Sequence, residues 1–478
     1  MNPRQGLERI VVVGGGIVAL TASIAFARAL PQATVDLVAL PLDPAALADR
    51  LPALDPRGLA LLARLGIAEP ALVAAGAATH RVGTRFAWGA EPFPIGEGDG
   101  VPMLVGTALH QLWRVHGESG FDTLVPAAAL ASADRFVHPP DDPRALLSHI
   151  DYTLRLDPDR AAPQLAALAR AAGVRLVEAR SVHVNRDPKG MTAIVADGRS
   201  LTGDLFVDAS GPAALLAAPD AAWIDWRTSL AADRLLLGST TGRPSPTDRY
   251  EAVGDGWTAR WPLAGRTLTG FAYAGAVTND ARARRLAAGD HERIAVHARR
   301  QRAPFSGNFL ALGDAAAAVG PLGWLGLPLA LAQLDLALEL MPACGDGPWL
   351  AAEYNRRAAL AAEHIRAYAA AFYLAGSPRK GPFWHSLHGR TPPEELASAL
   401  AQFGRRGTLP PLEEAMLPRA AWYQALIGLG IRPERPDPVA LSVPRTSAIA
   451  ALAQLRTAVA GLAAPLPSYP DYLARLTR

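Results

Sequence analysis

Cysteine and lysine are almost absent from this sequence. Cys344 is the single cysteine among 478 residues, so the chain cannot form an internal disulfide. The lysines are Lys189 and Lys380, and the other basic residues are arginines. The formal net charge of +3 is small for this length and does not favour a nucleic-acid partner. A lone cysteine is typical of a reducing compartment, so we expect a cytoplasmic protein.

Targeting signals and membrane spans are also not evident. Glycines interrupt the apolar N-terminal stretch and no cleavage site follows it, so it predicts a buried strand rather than a signal peptide. Residues 309–341 are very apolar, but Asp314 and several glycines and prolines interrupt them. We expect a buried strand, loop and helix there, and no membrane partner. The sequence contains no P-loop, nucleophilic-serine signature or internal repeat.

A glycine-rich turn follows the first predicted strand, which is the β-branched run at 10–13. Gly14, Gly16 and Ala19 form the pattern G-x-G-x-x-A, and a helix is predicted at about 18–30. Gly14 permits the turn, Gly16 lets a pyrophosphate approach the backbone, and Ala19 allows the helix to pack closely. The N-terminus of the helix would then stabilise the phosphates. A tight turn that binds nothing is the alternative interpretation.

The residue that would bind a ribose cannot be assigned from the sequence. The second strand is predicted at 35–40, and dinucleotide-binding proteins often have an acidic residue at the end of this strand. Here Leu40 is followed by Pro41. Asp36 comes too early in the strand and alternates out of phase with the expected position.

Two further strand ends carry small and acidic residues. Residues 204–211, DLFVDASG, predict a buried strand and turn, and residues 307–315, GNFLALGDA, predict another with a helix soon after it. Asp314, in the turn that ends the segment 307–315, can accept hydrogen bonds from the ribityl hydroxyls of a flavin. The order and spacing of the three turns therefore indicate an FAD site. Its predicted residues are Gly14, Gly16, Ala19, Asp208, Gly211, Gly313, Asp314 and Ala315.

The remaining segments are less specific. Residues 79–88 alternate like a half-exposed strand, whereas 89–150 predict loops and short helices that could line a substrate cavity. Residues 222–300 predict an antiparallel sheet over a substrate chamber. Seven arginines between 282 and 302 predict a solvated face, with one or two near an anionic cofactor as the alternative. His385 and His388 could share a helix face, but surface histidines explain them better, so no metal site is assigned.

These elements predict an α/β fold. A chain of this length exceeds one typical core, so more than one subdomain is expected. We predict a Rossmann-like FAD-binding domain over 1–345, with inserted substrate-binding regions at about 80–150 and 217–300. The inserted regions would contribute the antiparallel sheet. Apolar residues at helical spacing over 349–374 begin a mainly helical C-terminal region, 346–478.

With these elements placed, the sequence resembles the flavin-dependent tryptophan halogenase family over nearly its whole length. GGGIVAL resembles the opening GGGxAGW of that family, and residues 65–86 resemble its LGIPEDEW…ASYKxxIKF segment. DLFVDASG resembles DLFVDCSG, and GWTARWPL resembles GWxWxIPL. GNFLALGDAAAAVGPLGWLG resembles GNxxxxGxxxxFxEPLESTG, while EYNRR and GPFWHSLH resemble C-terminal segments of the family.

The resemblance implies FAD, a small-molecule substrate and a separate flavin reductase. In this family reduced FAD, oxygen and halide give hypohalous acid, which reaches a lysine beside the substrate and is polarised by a glutamate. By position, the lysine corresponds to Arg81 and the glutamate to Gly323. Arginine stays protonated and is a poor nucleophile, and glycine cannot transfer a proton. The rest of the halide and flavin segment reads Trp324, Leu325 and Gly326, and the second tryptophan of WxWxIP is Ala259.

We therefore expect an FAD-dependent oxidoreductase with monooxygenase or oxidase chemistry on a small molecule, of which aromatic compounds are one candidate class. Arg81 is the single catalytic candidate, through its position alone. One alternative is a catalytically silent flavin-binding partner of a true halogenase, and another is a halogenase with rearranged catalytic groups. The substrate, the reductase and the oligomeric state cannot be read from the sequence.

Overall fold

The computed structural model describes residues 6–89, 91–188, 190–287, 289–341, 348–376 and 379–476. Three features named in the sequence analysis lie outside these residues: Cys344, Lys189 in the predicted hairpin turn, and the predicted domain boundary at 345/346. The chain forms two compact units, each made of three chain segments. The first unit comprises Met1–Ala77, Leu156–Thr228 and Ile294–Ile365, and the second comprises Ala78–Arg155, Ser229–Arg293 and Arg366–Arg478.

A six-stranded sheet forms the core of the first unit. Its first five strands are parallel and the last pair is antiparallel. Val13 lies opposite Asp208, which lies opposite Ala311, so three central strands end at the same edge of the sheet. The predicted α/β fold is confirmed. In order, the strands are Arg175–Glu178, Thr34–Ala39, Arg9–Val13, Leu205–Asp208, Phe309–Ala311 and Phe305–Ser306.

Local sequence signals explain most helices of this unit. Helix Ile17–Ala29 follows the glycine turn as predicted and packs on the first two strands and on helix Pro158–Ala171. The Asp157 carboxylate caps that second helix by accepting a hydrogen bond from the Asp159 N–H. The other helices and 3₁₀ turns of the unit are Leu47–Arg50, Pro56–Arg64, Glu69–Ala74, Gly313–Ala315, Leu322–Trp324 and Gly326–Glu339.

Smaller sheets complete the first unit. Val182–Asp187, Gly190–Ala196 and Arg199–Thr202 form an antiparallel meander, with the predicted hairpin between its first two strands. A second three-stranded antiparallel sheet consists of Trp223–Asp225, Arg299–Gln301 and Ala317–Ala318. The short strand Ala53–Leu54 also belongs to this unit.

One segment within the described ranges, Leu322–Glu339, is long and apolar enough to cross a membrane, with a mean hydropathy of 1.2. However, 72% of it is buried inside the protein. The helix that it contains, Gly326–Glu339, packs against helices Ile17–Ala29 and Pro56–Arg64. Its apolar composition is therefore explained by burial in the core, as expected from the sequence.

An antiparallel sheet dominates the second unit, as predicted for 222–300. Neighbouring strands between Arg234–Thr241 and Phe93–Gly96 in this sheet are antiparallel, with one exception. Strands Thr247–Val253 and Gly83–Ala87 pair in parallel. The parallel pair brings a segment from the first third of the chain into the sheet. In order, the seven strands are Glu292–Ala295, Arg234–Thr241, Arg266–Tyr273, Gly256–Pro262, Thr247–Val253, Gly83–Ala87 and Phe93–Gly96.

The prediction of one half-exposed strand at 79–88 is wrong. The segment forms two strands, Ala78–Arg81 and Gly83–Ala87, and nearly all of its side chains are buried. Alternation of polar and apolar residues normally places the polar ones in solvent. Here the polar side chains face buried partners instead, most clearly at Arg81.

Loops and short elements make up 89–150, as expected. They include the hairpin Met103–Leu104 and Thr107–Ala108, and helices Leu109–His116, Phe121–Leu124, Pro126–Ala133 and Leu146–His149. Two strands, Thr153–Leu156 and Glu292–Ala295, span the residues at which one unit ends and the other begins. Helix Asp280–Ala287 follows strand Arg266–Tyr273 along the chain. The long helix Pro348–Leu374 continues from the first unit into the second. The C-terminal helices are Pro382–His385, Glu394–Arg406, Arg419–Gly428, Pro438–Ser442, Arg445–Gly461 and Tyr469–Leu476.

Candidate functional site

The glycine turn lies at the edge of the sheet where the central strands end. Gly14 contacts the end of the neighbouring strand so closely that a Cβ atom there would lie 2.3 Å from the Ala209 carbonyl oxygen. The same Cβ would lie 2.9 Å from the Cβ of Ala19, which is fully buried. Only glycine fits at Gly14, and a small residue is required at Ala19. The sequence therefore places these two residues in the packing roles that the fingerprint assigns to them.

The second predicted element stabilises its own loop. Asp208 is fully buried and its carboxylate accepts hydrogen bonds from the N–H and hydroxyl of Ser210 and from the N–H of Leu216. Burial raises its pKa, and these hydrogen bonds oppose the shift. Gly211 has φ +82°, and a Cβ there would lie 2.9 Å from the Cβ of Ala46. Asp208 thus shapes the turn, while Gly211 makes room for a segment that follows the second strand.

The third predicted element reaches the start of the first helix. Gly313 has φ +61°, and a Cβ there would lie 3.2 Å from the Val18 side chain. Asp314 is buried and accepts a hydrogen bond of 2.8 Å from the N–H of Ala48. Burial, followed by the charges of neighbouring aspartates, raises the pKa of Asp314 to about 7. Ala315 is buried behind it. The structure therefore brings all three predicted turns to one sheet edge.

The helix expected soon after Asp314 begins later than the sequence suggested. The next α-helix begins at Gly326, and a short strand and a 3₁₀ turn lie between them. Gly320 and Gly323 adopt positive φ angles on either side of Pro321, and this backbone cannot continue as a helix. The helix N-terminus predicted to face a flavin is therefore displaced along the chain.

Asp49 is a site residue that the sequence did not reveal. Its carboxylate is buried and accepts a hydrogen bond of 2.9 Å from the N–H of Val18, at the N-terminus of the first helix. Burial raises its pKa to about 6, opposed by hydrogen bonds from the N–H groups of Val18 and Ile17. A Cβ on Gly16 would lie 2.2 Å from Asp49 Oδ1. Gly16 therefore packs directly against the Asp49 carboxylate, beside the N-terminus of the first helix.

Asp36 does not serve a ribose either. It is buried in the second strand, and its two carboxylate oxygens accept hydrogen bonds of 2.7 and 2.6 Å from the Arg175 guanidinium on the neighbouring strand. The side chain therefore stabilises strand pairing. This agrees with the reading that Asp36 lies too early in the strand to contact a nucleotide.

Arg81, which the resemblance aligns with the family lysine, is a buried, ion-paired residue of the second unit. Its guanidinium contacts Asp248 at 3.2 Å and Glu97 at 3.1 Å, and its Nε donates to the Thr153 hydroxyl. Asp248 is fully buried and also accepts from Arg155 at 2.7 Å. Burial alone would lower the pKa of Arg81, but the charges of Glu97 and Asp248 outweigh it and raise the pKa. The guanidinium is held as a permanent cation and cannot act as a nucleophile.

The segment that the resemblance aligns with the family's halide and glutamate region lies in the first unit. Gly323 adopts φ +78° and Trp324 adopts φ +58°, both in the left-handed region. Trp324 and Leu325 are buried. A glutamate at Gly323 would be strained by the backbone, because residues with a Cβ rarely adopt that conformation.

The remaining position that the resemblance identifies, Ala259, has no reactive side chain. Ala259 is buried in strand Gly256–Pro262, opposite Gly270 and Tyr250 in the sheet. Lys380 is exposed in a loop, as predicted, while Lys189 lies outside the described residues.

Two cavities of about 310 and 300 Å³ lie within the second unit. Both are lined partly by residues of 89–125, the region expected to line a substrate cavity, and both include Phe121 and Gln424. The first also contains Asp122, whose pKa burial raises, and Arg432. The second contains His110, whose ring stacks on Tyr423 at 3.8 Å between centroids and whose pKa burial lowers. Their volumes suit a small organic ligand.

The arginine run is mostly exposed, as expected. Arg300 is an exception, because it is half-buried and pairs with Glu363 at 2.7 Å. Arg299 is half-buried over the Trp223 ring and donates to the Pro212 carbonyl, next to the second predicted turn. His385 and His388 are exposed and lie 5.3 Å apart between ring centroids.

The family model described as tryptophan halogenase matches residues 9–445, which is nearly the whole chain. The chain belongs to the tryptophan halogenase family. The resemblance inferred from the motifs is thus confirmed.

Family members with curated functions match part of the chain. The tryptophan 7-halogenase RebH of Lentzea aerocolonigenes is 26% identical over 313 residues, which is 58% of this chain and 58% of RebH. The tryptophan 6-halogenase SttH of Streptomyces toxytricini is 24% identical over 335 residues, or 65% of this chain and 64% of SttH. The chain thus matches less than two thirds of the length of either relative.

Solved structures of flavin-dependent halogenases match nearly the whole chain. BrvH, a flavin-dependent halogenase from Brevundimonas sp. BAL3, superposes with a TM-score of 0.91 at 25% identity, over 99% of both chains. Xcc4156, a flavin-dependent halogenase from Xanthomonas campestris, superposes with a TM-score of 0.90 at 25% identity, also over 99% of both chains. The fold of this chain is therefore similar to that of these two halogenases along nearly the whole chain.

Proposed function

We propose that this chain is an FAD-dependent oxidoreductase that oxidises or oxygenates a small molecule and does not halogenate it. The flavin assignment is supported by three predicted turns that meet at one edge of the parallel sheet. It is also supported by relatives that are named flavin-dependent halogenases. Membership of the tryptophan halogenase family also supports an enzymatic function.

One observation supports the loss of halogenation above the others. The residue at the lysine position, Arg81, is committed to buried ion pairs with Asp248 and Glu97. Breaking a buried pair by withdrawing one partner costs about 3–5 kcal/mol, so the guanidinium is not available to carry a halogen. Oxidation or oxygenation of a substrate by reduced flavin and oxygen needs neither an amine carrier nor a halide.

The substrate and the electron source belong to the same proposal. The cavities that contain Phe121 and Gln424 are candidate sites for a small, partly aromatic substrate, because aromatic and polar side chains line them. A separate flavin reductase is the proposed source of reduced FAD, because membership of the tryptophan halogenase family implies one. We also propose that the protein acts in the cytoplasm.

A catalytically silent, flavin-binding partner of a true halogenase is the second candidate. The absence of the two halogenating groups favours it: Arg81 is held in ion pairs with Asp248 and Glu97, and Gly323 has no carboxylate.

Incorporation of oxygen-18 tests the proposal. The purified chain is supplied with FAD, a flavin reductase, reduced nicotinamide and ¹⁸O₂, without halide, and indole and phenol panels are analysed by mass spectrometry. We expect products labelled with oxygen-18, or dehydrogenated products, that form only when the chain is present. A boiled chain and a reductase-only reaction are the controls. If no product depends on the chain, the silent-partner function is favoured, whereas products that require bromide would restore halogenation.

A further inference from the structure

We infer that the cavity beside His110 binds an amphiphilic aromatic substrate, whose ring carries a hydrogen-bond donor into the cavity and whose apolar tail lies across the cavity's rim. The inference rests on the proposed function and names the substrate class of that site. The cavity is the one of about 300 Å³ that Tyr423 and Phe121 also line. All residues that carry the inference belong to the second unit.

His110 keeps an acceptor atom for a ligand. Its ring is buried and stacks on Tyr423 at 3.8 Å between centroids. Its Nε2 lies 2.8 Å from the carbonyl oxygen of Gly407, and a carbonyl only accepts, so Nε2 carries the proton. Burial lowers the pKa of the ring, which favours the neutral form. Nδ1 then has a lone pair, and none of the described residues donates a hydrogen bond to it.

The other buried side chains that line this cavity are apolar or already paired. The apolar ones are Leu109, Phe121 and Val125. The Gln424 amide accepts from the N–H of Gly96 at 2.8 Å and donates to the Gly96 carbonyl at 3.1 Å. The charged residues of the lining, Asp99 and Arg419, are exposed to solvent. A neutral ring with one donor, which His110 accepts, therefore fits the interior better than a charged group does.

Four exposed apolar side chains lie on elements that border the cavity. They are 46–58% exposed, and we call them the apolar rim: Met103, Val105, Val439 and Leu441. The first two belong to the hairpin 103–108, whose preceding residue Pro102 and last residue Ala108 line the cavity. The other two belong to helix Pro438–Ser442, which packs on the hairpin and on the helix that carries His110. The described part of the chain exposes nine large apolar side chains, so nearly half of them are concentrated here.

Turn geometry does not explain the apolar rim. Val105 has φ +44° at the tip of the hairpin, before Gly106 at φ +80°. Turns of this kind favour asparagine and glycine, and a β-branched residue is strained in them. The rim is also too small for a protein partner, because four partly exposed side chains offer much less than the roughly 800 Å² per partner that a stable interface buries. It suits an apolar chain of a few methylene groups, which removes this surface from water when it lies across it.

A matched pair of probes tests the role of His110. 4-Propylphenol and 4-propylanisole share one tail, and only the phenol has a donor. Their affinities for the full chain are measured by isothermal titration calorimetry. The wild type should bind the phenol about fivefold more tightly, which is the effect of one hydrogen bond. His110→Asn keeps an acceptor near the position of Nδ1 and should retain this preference. His110→Gln keeps a donor to Gly407 but no acceptor near Nδ1, so it should lose the preference.

A chain-length series tests the apolar rim. From 4-methylphenol to 4-hexylphenol, affinity should rise about twofold per methylene group, which is less than full burial would give because the rim is open to solvent. Met103→Ser combined with Leu441→Ser should flatten the series, since serine offers no apolar surface to the tail. Leu286→Ser changes a similarly exposed leucine of the same unit that does not line the cavity, and it should keep the wild-type slope.

Three results would overturn the inference. The wild type binds phenol and anisole equally, the glutamine variant keeps the preference while the asparagine variant loses it, or the rim variant keeps the wild-type slope. The second result is the one expected if His110 only holds Gly407. These measurements use neither flavin nor turnover, so such a failure leaves the proposed function to the oxygen-18 experiment. Conversely, alkylphenol binding as expected without any chain-dependent product would support this binding site and contradict the proposed enzymatic function.

Discussion

Wild-type protein supplied with FAD, a flavin reductase, oxygen and excess bromide is expected to give no brominated indole or phenol. Two separate features cause this result. Arg81 is a permanent cation held by Asp248 and Glu97, so no amine is positioned to carry hypohalous acid. Gly323 provides no carboxylate to polarise the reagent. General acid–base help is typically worth about a hundredfold to ten-thousandfold in rate, so turnover should fall below detection.

The double change Arg81→Lys with Gly323→Glu should not rescue bromination. Lysine at position 81 would still face Asp248 and Glu97, which would hold it protonated in an ion pair. Glutamate at position 323 would be strained, because the backbone there has φ +78°. The assay is mass spectrometry over a broad indole and phenol panel, with a tryptophan halogenase as the positive control. Reproducible bromination of one ring position by the wild type would contradict the proposal and show that this chain is a halogenating enzyme.

Substitution of Gly16 by valine is expected to abolish measurable FAD binding. A Cβ at this position enters the space that any anion at the helix N-terminus must use, since it would lie 2.2 Å from the present Asp49 oxygen. An anion bound there would lose two charge-assisted hydrogen bonds, which the backbone N–H groups of Ile17 and Val18 donate. At about 1.5–3 kcal/mol each, this reduces affinity by at least about a hundredfold.

A matched glycine substitution controls for folding in that experiment. Gly404→Val introduces the same side chain where no atom lies within 4 Å of the new Cβ, so its FAD affinity should equal that of the wild type. Circular dichroism should show that both variants retain their secondary structure. FAD dissociation constants that agree between Gly16→Val and the wild type would show that the cofactor does not use this turn.

The local parts of the fold follow directly from the sequence. Short β-branched runs gave buried parallel strands, and Asp55 before Pro56 gave a helix whose cap accepts from the Gly58 N–H. The glycine turn could also be predicted, because its spacing reflects a backbone contact within one strand–turn–helix unit. These features depend on residues that are neighbours in sequence. A single chain is enough to reveal them.

Contacts between distant segments could not be predicted in the same way. Asp49 reaches the N–H of Val18 from 31 residues away, and nothing in its own neighbourhood marks it as the cap of another helix. Arg81 and Asp248 are 167 residues apart, so the burial of 79–88 was missed. An ion pair of this kind makes a polar position compatible with the core, and periodicity cannot detect it.

The most direct test of the central claim is the reaction of the reduced, FAD-loaded chain with oxygen. FAD-loaded protein is reduced anaerobically and mixed with oxygenated buffer in a stopped-flow spectrometer, with and without bromide. A flavin-dependent oxidoreductase that does not halogenate should reoxidise at a rate that differs from that of free reduced FAD, changes when a substrate is added and does not depend on bromide. Reoxidation that matches free FAD under every condition would contradict an enzymatic role, and a bromide-dependent rate would contradict the loss of halogenation.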